Sequence, residues 1–133
     1  MSFHFDFDPA NRILCGRLDG RVTDEVQKEY YRVATEYAAR IDPTAGIADF
    51  SAVTSFQVSP QTARELARSS PIMAEPNRVR VIVAPSDHIF GMMRLFQLEG
   101  ESTRPNLHVV RTMNEALAVL GVQDPKFERL HMK

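Results

Sequence analysis

The chain has 133 residues, one domain's length, and its 44% hydrophobic and 25% charged content is that of a globular protein rather than a disordered one. Sixteen Lys and Arg against 17 Asp and Glu give a net charge of −1, which excludes the basic excess of a dedicated nucleic-acid binder. A single cysteine, Cys15, excludes an internal disulfide, and no Cys/His spacing suggests zinc. No stretch approaches the ~18 apolar residues of a membrane span, and the first residues lack the basic-then-apolar order of a signal peptide. The expectation is a cytoplasmic domain with no nucleic acid, no integral membrane association and no cofactor.

Phe3, Phe5 and Phe7 alternate with His4, Asp6 and Asp8, a period of two that predicts a strand with one buried face. Asp8-Pro9-Ala10-Asn11 supplies a turn, and Ile13 to Leu18 returns as the second arm of an antiparallel hairpin. From Thr23 to Arg40 the period changes: Val26, Tyr30, Val33, Ala34, Tyr37, Ala38 and Ile41 form one stripe of a long helix. Asp24 and Gln27 suit a capping pair at its start, and Asp42-Pro43 stops it. Ala45 to Phe50 is short, apolar and bounded by breakers, the pattern of a buried central strand, and Ser51 to Ser59 reads as a loop.

Ser59 before Pro60 predicts a capped second helix with Pro at its first position, ending near Pro71. Val79, Val81 and Val83, with Ile82 between, predict another buried strand ending at Ala84-Pro85. Ser86 caps a third helix over roughly 87–99, and residues 107–110 form a last strand. Thr112 and Glu115 match a capping box, and Gly121 closes the fourth helix. Residues 1–122 thus make one domain, and 123–133 make a polar C-terminal tail, frayed or docked.

The order β-β-α-β-α-β-α-β-α implies a single-domain α/β fold. Its sheet has four or five strands and is mainly parallel, with the hairpin as an antiparallel edge and about four helices. Functional groups in such sheets gather beyond the carboxyl ends of the strands. There the candidates for a ligand or regulatory site are Asp49, Ser51, Ser59, Ser86 and His88.

No serine sits in a glycine-flanked nucleophile elbow, the six glycines are scattered rather than clustered in a phosphate loop, and the four histidines fall on four different elements. Cys15 lies mid-strand as an inert core thiol. The Asp87-His88 pair reads as an acidic complement to a helix N-terminus, with a functional histidine as the alternative.

Advancing ~100° per residue along the third helix puts Met92, Met93 and Phe96 on the side of Ile89, and Leu95 and Leu98 on the other, near Arg94. A helix apolar nearly all round is either covered by the tail or the fourth helix, or it exposes a patch for a partner or a homodimer. Phe90, Arg94, Leu95 and Leu98 are the candidate interface.

The element order, with Asp49-Phe50-Ser51-Ala52-Val53-Thr54 after the central strand and Ile82-Val83-Ala84-Pro85-Ser86-Asp87-His88-Ile89-Phe90-Gly91 into the third helix, resembles the STAS superfamily. That superfamily holds the anti-sigma-factor antagonists and their bacterial STAS-like relatives. The likeness spans roughly residues 3–121 and includes Phe7-Asp8-Pro9 and Leu18-Asp19-Gly20-Arg21-Val22-Thr23.

The resemblance implies a non-enzymatic regulatory or protein-interaction domain. In the antagonists a hydroxyl after an Asp and before a Gly is phosphorylated, and the added charge breaks binding. Here the stretch is Phe56-Gln57-Val58-Ser59-Pro60, with Gln57 for the Asp and Pro60 for the Gly, so the switch is expected to be absent and Ser59 to serve as a cap. The alternative function is a module that binds a small apolar or anionic ligand at the strand ends.

Overall fold

In the computed structural model, which describes residues 2–131, the chain forms β1 (Phe3–Asp8), β2 (Ile13–Thr23), α1 (Asp24–Ile41), β3 (Ala45–Gln57) and α2 (Pro60–Arg68). It continues with β4 (Val79–Val83), α3 (Asp87–Glu99), β5 (Leu107–Val110), α4 (Met113–Leu120) and β6 (Glu128–Arg129). One mixed sheet runs in the order β5-β4-β3-β2-β1-β6. β1 is antiparallel to β2 and β6, and all other pairs are parallel. The expected central strand is interior, between β2 and β4.

Alternation along the strands sorts two cores. Phe3, Phe5, Leu14, Leu18, Phe50 and Ile82 meet Tyr30, Val33 and Tyr37 of α1 and Ile89 and Met93 of α3. Ile13, Cys15, Ile47, Val81 and Val83 form a smaller core with Ala116 of α4, against which Phe127 packs. The Phe5 and Tyr30 rings stack at 5.1 Å, so the alternating phenylalanines are core. Each such side chain stabilises the fold by about 1.5–3 kcal/mol. α1 comes this close because Gly16 lies beneath it: a Cβ there would stand 2.5 Å from Tyr30 Cε1 and 2.7 Å from Phe5 Cε2.

The hairpin turn is held by Asp8, fully buried, whose Oδ1 accepts from the Ala10 N–H at 3.1 Å and whose Oδ2 accepts from Asn11 Nδ2 at 2.7 Å. Arg12, not Asn11, takes the left-handed conformation, at φ 55°.

Three expectations change. Residues 51–57 are strand, not loop: β3 runs on beside β2 to the pair Thr23–Gln57, past two register irregularities. The helix α1 is capped by Thr23, whose side chain accepts from the Val26 N–H at 3.3 Å. Asp24 is therefore inside the first turn, and Gln27 is buried in the core face rather than engaged in a cap. The sheet gains a sixth strand, because the tail docks: Glu128 pairs with Phe7, Arg129 with Asp6, and the Leu130 N–H donates to the Phe5 carbonyl at 2.8 Å. Met132 and Lys133 of that tail lie outside the described residues.

Candidate functional site

Each helix follows a strand of the parallel set, so all four begin at the carboxyl end of the sheet. Each also begins with a hydroxyl that accepts from the amide three residues on: Thr23 from Val26, Ser59 from Thr62, Ser86 from Ile89 and Thr112 from Glu115. Ser59 and Ser86 are thereby occupied as caps.

Ser59 has a second partner that lies far off in the chain. Its N–H donates to Asp24 Oδ1 at 2.7 Å and its hydroxyl to Oδ2 at 3.2 Å. These bonds, the backbone one foremost, hold the Asp24 carboxyl below its ordinary range.

Beside this junction the His88 ring meets Phe56 edge-on at 5.6 Å, and Phe56 in turn meets Phe50 at 5.8 Å. His88, Ser86 and Ser51 are exposed. At the start of α3, Arg111 lies over the Phe90 ring at 4.1 Å and pairs with Asp87 at 2.9 Å. Such an exposed pair adds little stability.

Asp49 belongs elsewhere. It is buried, on the sheet face of Cys15 and Ile47, where Oδ1 accepts from the Ser51 N–H at 2.9 Å and Oδ2 from Arg17 Nη1 at 3.0 Å. Arg17 Nε donates to Asp6 Oδ2 at 2.9 Å, Arg129 Nε donates to Asp6 Oδ1 at 3.1 Å, and Arg17 Cζ lies 5.4 Å from the Phe127 ring centroid. Two carboxylates and two guanidiniums alternate in one chain that fastens the tail to the sheet. Asp49 is thus a paired structural group. Cys15, beside Arg17, has its thiol pushed up to about 12, because burial outweighs the nearby guanidinium.

The five candidate residues therefore do not converge on one point. Ser59, Ser86 and His88 lie around the carboxyl end of the sheet, while Ser51 lies within β3 with its N–H on Asp49, which is fixed on the face under α4 and the tail. Sequence reasoning missed Asp24 as the partner of Ser59 and missed the whole Asp6–Arg17–Asp49–Arg129 chain. Strand alternation does place Asp6, Arg17 and Asp49 on one face, which is the signal that was there to use.

On α3 burial is graded around the helix rather than split between two faces. Ile89 and Met93 are buried, Met92 and Phe96 half-buried, and Leu98 is 61% exposed, with Leu95 half-buried between. α4 packs on the opposite face of the sheet, and the tail joins its far edge, so among the described residues neither covers α3.

Two solved structures share this arrangement of elements over nearly their whole length. The anti-sigma factor antagonist SpoIIAA in its unphosphorylated form superposes with a TM-score of 0.57 at 13% identity, covering 92% of this chain and 99% of that one. The Bacillus cell fate determinant SpoIIAA in its phosphorylated form gives 0.56 at 17% identity, with 89% and 98% covered. The chain has the STAS-like fold. No protein-family model matches the sequence, and no curated protein matches it. At this identity the likeness speaks for the STAS-like fold alone. Among the described residues no helix is long and apolar enough to cross a membrane.

Proposed function

We propose that this STAS-like domain acts by protein interaction, as a non-enzymatic regulatory domain resembling the anti-sigma-factor antagonists but lacking their phosphoserine switch. The observation that carries the reading is the state of Ser59. It is the one hydroxyl left in the stretch that resembles the switch, and it is held by the Thr62 amide and the Asp24 carboxylate. A phosphoryl group there would set up to two negative charges against a carboxylate already ionised, with the loss of the α2 cap. The same contacts favour a non-enzymatic reading: the carboxylate that accepts from this hydroxyl is held below its ordinary range and is a weak base for activating a nucleophile, and the Cys15 thiol is buried and pushed up to about 12.

The interaction surface is the carboxyl end of the sheet around Ser51, Ser86 and His88, and the protein works in the cytoplasm as a domain of bacterial type. A homodimer forms through α3, with Phe90, Arg94, Leu95 and Leu98 at the contact.

The test is purification of the tagged full chain from its own cells under cross-linking, beside Ser51→Arg and His88→Glu. A single protein recovered at fixed stoichiometry with the wild type, and lost with both variants, supports the reading. Recovery of the same protein unaffected by either variant moves the surface elsewhere, and the absence of any stoichiometric protein contradicts the proposal.

A further inference from the structure

The larger core is incompletely filled. Between the sheet and α1, α2 and α3 lies a cavity of about 110 Å³, lined by Ala48, Tyr30, Met73 and Met93; Gly16 and Gly46 also border it, covered by the Tyr30 and Phe5 rings and by the Met73 methyl. The half-buried Leu66, Ile72 and Phe96 mark its rim. Cavities lined only by hydrocarbon stay dry and accept neutral rings: an engineered one of ~150 Å³ binds benzene. This one is smaller but of that order, and its lining is not only hydrocarbon.

Arg80 and Arg104 both line it, and they are 8% and 3% exposed. Arg80 sits across from Gly46 in the β3–β4 register. Its Nη1 donates to the carbonyls of Pro76 and Arg78, at 3.1 and 2.9 Å, and its Nη2 to those of Met73 and Glu75, at 2.6 and 2.9 Å. Its Nε is buried with no hydrogen-bond partner among the described residues. Arg104 donates to the Ala67 carbonyl at 2.7 Å and to the Tyr31 hydroxyl at 2.7 Å, and lies 4.9 Å from the Phe96 ring centroid. Neither guanidinium has an ion-pair partner among the described residues.

Carbonyl dipoles solvate these groups but leave two like charges in an apolar setting, an arrangement that a counter-charge relieves. Burial and the neighbouring Arg104 both act to lower the Arg80 pKa. Gln27, whose Oε1 is also buried with no partner among the described residues, lines the cavity as well.

We propose that this cavity is a binding site for a small carboxylate whose apolar body, two or three carbons long, is smaller than a benzene ring. The carboxylate accepts from Arg80 Nε beside Arg104, and the body rests on Ala48 against Met73 and Met93. The site lies inside the helix-covered core, away from the exposed residues of the proposed interaction surface, and it stands whether or not that surface binds a protein.

The probe is propionate, with 1-propanol as its uncharged counterpart, and the readout is the methyl NMR signals of Met73 and Met93, with Tm alongside. Propionate is expected to shift both methyl signals saturably and to raise Tm, with 1-propanol binding about tenfold or more weakly, the margin of a charged hydrogen bond. Arg80→Met should weaken propionate by a similar factor. Since that variant risks unfolding, Ala48→Leu provides the second test: it fills the cavity with hydrocarbon and should keep the fold while abolishing the shifts. Unmoved Met73 and Met93 signals at saturating propionate, equal affinity for 1-propanol, or undiminished binding by Ala48→Leu would each overturn the proposal.

Discussion

Ser59 and Asp24 are joined twice, by a backbone N–H at 2.7 Å and a hydroxyl at 3.2 Å, so the first turn of α2 is tied to the first turn of α1. The carboxylate takes the place beside Ser59 that added negative charge would need. This one contact makes Ser59 a structural residue and opposes its use as a switch.

Ser59→Ala should lower unfolding stability by about 1 kcal/mol, the worth of a lost cap. Ser59→Asp should lower it at least as far. Aspartate alone is a good cap, but here it would face the Asp24 carboxylate. Urea unfolding of the three proteins tests this; an aspartate variant as stable as the wild type would show that the Asp24 contact carries no weight.

The depressed Asp24 pKa fixes the direction of a pH effect. Folded Asp24 holds its proton less tightly than unfolded Asp24, so its contribution is fully present above the ordinary aspartate value of about 3.9 and is lost as pH falls through the folded one. Stability measured in urea should fall less steeply below that value in Asp24→Asn than in the wild type. Parallel acid limbs would remove Asp24 from the account.

Legibility followed local pattern. The phenylalanine alternation, the α1 stripe, the Val79–Val83 strand, and the caps Ser59, Ser86 and Thr112 were all readable, because each rests on residues a few positions apart. The strand over 51–57 was not, because Ser51, Ala52 and Thr54 are exposed there and its order comes from pairing with β2. β6 is two polar residues whose strand character is lent by the open edge of β1. The Asp24–Ser59 contact, and the Arg80 and Arg104 cavity, join residues tens of positions apart and leave no local period.

Two glycines should respond oppositely to alanine. Gly16→Ala drives a methyl into Tyr30 and Phe5 and should cost about 1–3 kcal/mol. Gly91, within α3 with open space where its Cβ would be, should gain about 0.5–1 kcal/mol from the same change. Thermal unfolding of both variants decides it, and a neutral Gly16→Ala would mean that α1 moves away freely.

Burying Leu95 and Leu98 in a twofold contact of α3 would remove two large side chains from water, each worth about 1.5–3 kcal/mol at full burial, before the cost of association. A weak-to-moderate dimer is expected, disrupted by Leu95→Asp with the monomer still folded. Light scattering across the micromolar range tests this, and a wild-type monomer throughout excludes the dimer.

The most direct measurement is the affinity of the cross-linked partner for the wild type, Ser59→Ala and Ser59→Asp, with the intact mass of the chain taken from its own cells. An unmodified mass and equal partner affinity for the wild type and Ser59→Ala are expected. A phosphate on Ser59, with binding abolished by Ser59→Asp in a chain of unchanged stability, would contradict an interaction domain without the switch.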